Sequence, residues 1–274
     1  MLSVIIVNYK TPDLLYDCIL SINENPPEGE YEIIVADNNS GDGSEAVSNL
    51  DKVLYIPLPK NGGFSYANNK ALEKASGDVI LFLNPDTIIH KGTLAACMNH
   101  LSSDKSIGCV GCRLVLEDGS IDLACKRSFP TLKNSFFKFT GLDKKFKTPF
   151  FSGYNLLHLP ESETYFVECI VGAFMMIPKK VLDEAGAFDE RFFMYGEDID
   201  LCLRIHNKGY KTLYDGAHTI LHRKRASSKK SSVAKRAFYE SMWLYFEKHF
   251  SKKYGKFISA LVKLSIKTLE LLKG

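Results

Sequence analysis

The chain carries none of the short motifs that usually announce nucleotide or acyl chemistry. No G-x-G-x-x-G follows its first apolar run, no G-x-x-x-x-G-K-[ST] occurs, and no G-x-S-x-G is present, so a dinucleotide cradle, a P-loop and a nucleophile elbow all lack support. Long apolar runs are missing too. Nothing reaches the ~18 uninterrupted apolar residues of a membrane-spanning helix. The opening Met1-Leu-Ser-Val-Ile-Ile-Val runs straight into Asn8 and Tyr9, which reads as a strand and not as a secretory leader. A soluble or peripheral protein is expected. Seven cysteines (18, 97, 109, 112, 125, 169 and 202) include one C-x-x-C, Cys109 and Cys112, with no second pair to complete a zinc site. Buried free thiols in a reducing compartment are the expectation.

Positive charge is scarce in the body and abundant in the tail. Residues 223–274 hold 14 Lys and Arg against 3 acids, net +11, while residues 1–222 hold 21 against 29, net −8. At 274 residues, 45% hydrophobic, the chain can bury one sizeable core.

The first half alternates strand and helix. Ser3 to Asn8 is an apolar run suited to a parallel strand, and Thr11-Pro12-Asp13 supplies a helix start. Strands are predicted over 31–36, 53–57 and 79–83, helices to about Asn25 and over 44–50, 65–75 and 91–101. This order predicts right-handed βαβ units and an open parallel sheet, with ligands beyond the carboxyl ends of its strands. Polar residues collect at those ends: Asn8, Asp37 with Asn-Asn-Ser, and Asn84-Pro85-Asp86. Residues 126–165 show no clean period and read as a variable loop or insert. Residues 168–178 read as one strand with close backbone approach at Gly172, and a helix is expected from about Ile199 to Lys208, stopped by Gly209.

Acids are the remaining candidates for chemistry. Taken singly, Asp37, Asp86 and the Glu197-Asp198 pair read as caps or loop residues. Taken together, Asp86 on a rigid strand end suits a hard cation, and His222, after an apolar run, offers it a nitrogen ligand.

The stretches SVIIVNYK, VADNNSGDGS, NGGFSYANNKAL, GDVILFLNPDT, VGAFMMIPKKVLDEAGAFDERFFMYGEDIDLCLRI and HTILHRKRASS, in that order over residues 1 to about 232, resemble the family 2 glycosyltransferases, in particular their rhamnosyltransferase-like branch. The resemblance implies an α/β GT-A fold with a mostly parallel central sheet flanked by helices: residues 1–232 as the catalytic domain (1–105 nucleotide-sugar-binding, 106–232 acceptor-binding) and 233–274 as a basic amphipathic helical tail. It implies donor contacts from Asn8, Asp37, Asn39, Asn61, Gly62, Gly63, Asn68, Asn84 and Asp86. Mg2+ or Mn2+ would be held by Asp86 and His222, Asp198 would be the base for inverting transfer, and Gly172, Tyr195 and Glu197 would face the acceptor. Two positions depart from the family pattern: Asn84 opens its D-x-D, and Arg225 stands where a small residue or glycine is usual.

Such a transfer needs charge neutralised on a departing diphosphate and a proton removed from an attacking hydroxyl. At about 3 Å and an effective dielectric of ~20, a divalent cation attracts a phosphate charge by roughly 11 kcal/mol before desolvation. Glu197 and Asp200 beside Asp198 are expected to raise its proton affinity, with Asp200 itself pairing to Arg204.

In the tail, two amphipathic helices are predicted. Residues 236–250, with Trp243, are expected to dock on the body, and residues 256–273 to lie on an anionic membrane surface, a homodimer contact being the other use of such helices. No nucleic-acid-binding module accompanies the charge. The implied partners are a nucleotide-sugar donor, dTDP-rhamnose first and a UDP-sugar second, and a glycan or lipid-linked acceptor at the inner face of the plasma membrane. A non-catalytic sugar-nucleotide or glycan-binding subunit and a nucleotidyltransferase are the competing readings.

Overall fold

A computed structural model describes residues 1–224 and 232–273; Arg225 lies outside the described residues. The organising element is a mixed sheet ordered β3-β2-β1-β4-β8-β6-β9-β5, with β7 paired to β9. Its strands are β1 (Leu2–Asn8), β2 (Tyr31–Asp37), β3 (Val53–Pro57), β4 (Val79–Leu83), β5 (Thr87–Ile89), β6 (Ile107–Leu116), β7 (Tyr165–Val167), β8 (Phe174–Pro178) and β9 (Lys211–His222).

The first four strands pair in parallel, as the βαβ pattern predicts. β8 then joins β4 antiparallel, and β5 and β7 join β9 antiparallel. β1 is buried along its whole length because helices cover both faces of the sheet. Its Leu2, Val4 and Ile6 pack with Leu15, Ile19 and Ile22 of α1 (Pro12–Glu24) and with Leu94 and Leu101 of α3 (Thr93–Ser103). Ile5 and Val7 face the other side. There they meet Ala67 and Ala71 of α2 (Phe64–Leu72), Val181 and Leu182 of α6 (Lys179–Ala185), and Leu201 and Ile205 of α7 (Glu197–Asn207). All seven cysteines are buried free thiols.

The helical segment expected over 44–50 is a 3₁₀ helix, Ser44–Asn49. Two expectations are corrected. The segment read as an insert contains α4 (Leu132–Thr140) and α5 (Leu142–Lys145), whose amphipathic pattern is obscured by clustered phenylalanines. The strand expected over 168–178 is shorter, forming only over Phe174–Pro178. β7 ends at Val167 and β8 starts at Phe174, the connecting backbone pairing through Cys169 with Arg127. Gly172 stands in that connection. A Cβ there would sit 3.6 Å from its nearest neighbours, an ordinary contact, so steric closeness does not explain it.

Two long helices follow, α8 (Ser232–His249) and α9 (Ser251–Lys273), the latter broken at Gly255 (φ 75°). α8 docks on the body as expected. Asp200, fully buried on α7, accepts from Arg204 (2.8 Å), Lys248 (2.6 Å) and His249 (2.7 Å), so one carboxylate ties α8 to α7. Asp200→Ala leaves the Arg204 and Lys248 cations and the His249 ring facing an apolar methyl and should cost roughly 3–5 kcal/mol of stability. Urea unfolding of the full chain measures this, and a loss below about 1 kcal/mol would show that the cluster does not hold α8.

Candidate active site

β1 and β2 run in register, so Asn8 and Asp37 end side by side. The Asn8 amide donates to Asp37 Oδ1 (2.8 Å), and Asp37 Oδ2 accepts from the Ser40 N–H (2.9 Å). Thr11, expected to cap α1 through its hydroxyl, instead donates it to Asn8 Oδ1 (2.9 Å). The loop before α2 folds against the same end. Asn38 donates to the Gly63 carbonyl (3.0 Å) and accepts from the Gly62 N–H (3.1 Å), while Asn61 Oδ1 accepts from the Gly63 N–H (3.0 Å). Gly63 is required here: its φ is +89°, and a Cβ would lie 2.4 Å from the Phe193 carbonyl oxygen. Asn39 is exposed in a left-handed conformation (φ 59°). Asn68 is buried inside α2, its amide donating to the Phe64 carbonyl (2.9 Å).

β4 stops at Leu83, beside Ile6 of β1 and Phe174 of β8, and the Asn84 N–H reaches across to the Ala173 carbonyl (3.0 Å). The chain then turns through Pro85 and Asp86 into β5. Thr87 lies opposite His222 in the β5–β9 pairing, and the Arg223 N–H donates to the Asp86 carbonyl (2.8 Å). This register places His222 Nε2 3.3 Å from Asp86 Oδ1. On the far side of the imidazole, Nδ1 is 2.9 Å from Asp122 Oδ2.

Burial works against an imidazolium at His222. The Asp122 hydrogen bond and the Asp86 carboxylate outweigh it and raise the pKa to about 9. Burial likewise opposes charge on Asp122, yet His222 and Lys224 hold its carboxyl well below the usual range.

Asp86 and His222 fit a divalent cation, which would take the place of the proton between them. Asp86 Oδ1 is a buried hard-oxygen donor whose near polar neighbour is His222 Nε2 at 3.3 Å, and Asp122 fixes the ring from behind as outer-shell carboxylates do at metal-bound histidines. Among the described residues no set of three or more His, Cys, Asp or Glu is arranged to hold a metal. The pair would therefore supply two ligands, leaving the rest to a bound anion and water.

The second acidic centre opens α7. Gly196 (φ 80°) and Tyr195 (φ 71°) turn the chain into the helix, so Glu197 and Asp198 occupy its first turn. Asp198 Oδ2 accepts from the buried Arg127 guanidinium (2.7 Å) and from the Gly172 N–H (3.2 Å), and Oδ1 from the Ile199 N–H (2.8 Å). The role of Gly172 is thus its backbone donor. Burial, then the adjacent Asp198 charge, lift the neighbouring Glu197 to about 8, a shift that sequence reasoning did not foresee, and its Oε2 has no hydrogen-bond partner. Tyr195 sets its ring edge-on to Phe238 of α8, 5.9 Å between centroids.

The geometry brings together Asn8 with Asp37, Asp86 with His222, and Asp198 with Gly172. Sequence reasoning missed Asp122, Arg127 and Asn38, each of which holds a predicted site residue in place. Arg127, in the polar run Lys126-Arg127-Ser128, carried no signal beyond loop composition, and neither did Asp122 or Asn38.

A glycosyl transferase family 2 model matches residues 3–162, more than half of the 274. The chain belongs to that family. It is 28% identical over 232 residues to the rhamnosyltransferase WbbL of Escherichia coli, covering 81% of this chain and 83% of that one. It is 26% identical over 214 residues to an N-acetylglucosaminyl-diphospho-decaprenol L-rhamnosyltransferase of Mycobacterium tuberculosis, covering 73% and 69%. Solved structures of similar fold include a Pyrobaculum calidifontis mannosyltransferase in complex with GDP-Man and Mn2+ (TM-score 0.62, 19% identity, 98% of this chain and 69% of that one). Another is Staphylococcus aureus TarS in complex with UDP-GlcNAc (TM-score 0.61, 20% identity, 89% and 64%). The fold of this family member is GT-A.

Glu197 gives the site a pH signature. In the unfolded chain it ionises near 4.5, whereas the folded chain keeps the proton to about 8, so stability falls as pH rises between those values and is level beyond them. Glu197→Gln should remove that fall, melting above the parent at about pH 9 and level with it at about pH 4. A melting difference unchanged across that range would refute the assignment.

Proposed function

We propose that this family 2 member is a metal-dependent inverting glycosyltransferase that moves rhamnose from dTDP-rhamnose to a lipid-linked or cell-surface glycan acceptor, with a UDP-sugar as the second-choice donor. The observation that carries the reading is the buried Asp86 carboxylate oxygen 3.3 Å from His222 Nε2, beside the Asn8–Asp37 strand ends. The two similar rhamnosyltransferases support the choice of sugar.

Residues 1–105 form the donor half. Asn8, Asp37 and Asn39 hold base and ribose, and Asn61, Gly62, Gly63 and Asn68 shape the pocket wall. Asn84 and Asp86 lie toward the diphosphate. Mg2+ or Mn2+ on Asp86 and His222 would supply charge neutralisation at the leaving group. In residues 106–232, Gly172, Tyr195 and Glu197 face the acceptor and Asp198 takes the hydroxyl proton. The new carbon–oxygen bond forms as the bond to diphosphate breaks, from opposite faces, and the anomeric centre inverts. Arg127 and the Gly172 N–H keep Asp198 in one orientation, which limits the reorganisation the step requires.

We place the chain at the inner face of the plasma membrane through α9. No helix among the described residues is long and apolar enough to cross a membrane. One side of α9 packs on α8 through Ile266, while Phe257, Leu261, Leu264, Leu271 and Leu272 line an exposed stripe with Lys256, Lys263 and Lys267 to one flank.

With dTDP-rhamnose and Mn2+ or Mg2+, the purified chain should release dTDP. Asp86→Asn should lower kcat/KM by on the order of 100-fold or more, the loss of several kcal/mol of charge stabilisation. Asp198→Asn should bind donor unchanged and transfer nothing. Pyrophosphate as the released product would mean nucleotidyl transfer instead, and full activity in chelator would remove the metal from the reading. Phe257→Ser with Leu264→Ser should free the chain from phosphatidylglycerol vesicles, and unchanged co-sedimentation would reject α9 as the anchor.

A further inference from the structure

The segment between Ser128 and Tyr154 is built as a surface and not as a core. None of the α4 side chains is buried. Phe136 and Phe150 are 59% and 57% exposed, and Phe146 is 42% exposed. These rings form one continuous cluster with Phe137 and Phe151: Phe137 lies 5.8 Å from Phe136, 5.4 Å from Phe150 and 4.9 Å from Phe151, and Phe146 lies 5.1 Å from Phe151. A monomer gains little by grouping five phenylalanines where water reaches them.

Charge indicates the occupant. Residues 131–151 carry lysines 133, 138, 144, 145 and 147 against one acid, Asp143, which is buried and already faces Lys138 at 4.0 Å. Lys133 lies over the Phe150 ring (4.8 Å) and Lys145 over that of Phe146 (5.4 Å), so the cations rim the rings. Lys144 and Lys147 also line a cavity of about 300 Å³ with Lys126, Leu123, Leu157, Leu159 and Glu161, where apolar walls meet ammonium groups. A glycan-stacking face would set hydroxyl and amide groups around its rings. Thr131, Asn134, Ser135, Thr140 and Thr148 also lie in the segment, but the groups set over its exposed rings are the Lys133 and Lys145 ammoniums, the pairing suited to acyl chains beneath phosphate headgroups.

The segment is also rooted at the site. Ser128 donates its N–H to the Tyr154 carbonyl (2.9 Å) and its hydroxyl to the Gly153 carbonyl (2.5 Å), closing the excursion immediately after Arg127, the residue paired with Asp198.

We propose that residues 131–151 are a membrane-docking element that seats Phe136, Phe146 and Phe150 in an anionic bilayer, so that the Asp198 side of the site opens at the lipid surface. The proposal concerns where the chain sits and does not depend on the donor, the metal or the transfer reaction. It is also separate from anchoring by α9.

Because all seven native thiols are buried, Phe150→Cys can be labelled selectively with an environment-sensitive dye, with Asp118→Cys, on an exposed turn, as the control. Phosphatidylglycerol vesicles should blue-shift the dye at 150 and leave that at 118 unchanged. Replacing Lys144, Lys145 and Lys147 by Gln should weaken this response by roughly a hundredfold in lipid concentration, as three charges lost at an anionic surface imply. Four results would overturn the proposal. The chain could co-sediment with vesicles without a shift at 150, which leaves binding to α9 alone. The response could be equal on phosphatidylcholine. The shift could grow with protein concentration in the absence of lipid, the mark of a second copy. It could also be evoked by a soluble oligosaccharide.

Discussion

The three-residue pairing of β5 with the end of β9 is the constraint on which the candidate site depends. Asp86 belongs to the first half of the chain and His222 lies more than a hundred residues later, and only the register that sets Thr87 against His222 closes that distance. The Arg223 N–H on the Asp86 carbonyl fixes the same register from the backbone. A one-residue slip would turn His222 to the opposite face of the strand and dissolve the pair. A short edge strand is a weak device for such a task, and the Asp122–His222–Asp86 line of side chains reinforces it from both sides.

Glu197 and Asp198 show how neighbouring acids acquire different characters on one helical turn. Asp198 meets a fixed guanidinium and two backbone N–H groups, which hold its carboxyl in one orientation. Glu197 is enclosed beside that charge without a partner for Oε2, which favours its neutral form.

The first half of the fold was legible because each βαβ unit carries its own punctuation. Continuous apolar strands, Thr11-Pro12 and the polar strand ends are local signals, and they located Asn8, Asp37 and Asp86 before any coordinates. The second half depends on pairing between distant segments. β6 contains two glycines and an arginine, and its burial comes from neighbours on both sides, so no window of its sequence announces it. Asp122 and Arg127 were invisible for the same reason. An aspartate before a 3₁₀ turn and an arginine in a short loop take their meaning from His222 and Asp198, 100 and 71 residues away. The raised proton affinity of Glu197 was not legible either, because charge counting along the sequence cannot tell which of two adjacent carboxyls an arginine will reach.

The Asp200 cluster gives the C-terminal region a mechanical meaning. Asp200 sits one turn into α7, two residues from Asp198, and its grip on Lys248 and His249 makes α8 a rigid extension of the helix that carries the acids. Tyr195, immediately before that helix, rests against Phe238 of the same α8. A displacement of α8 would therefore act as a lever on the turn that aims both carboxyls.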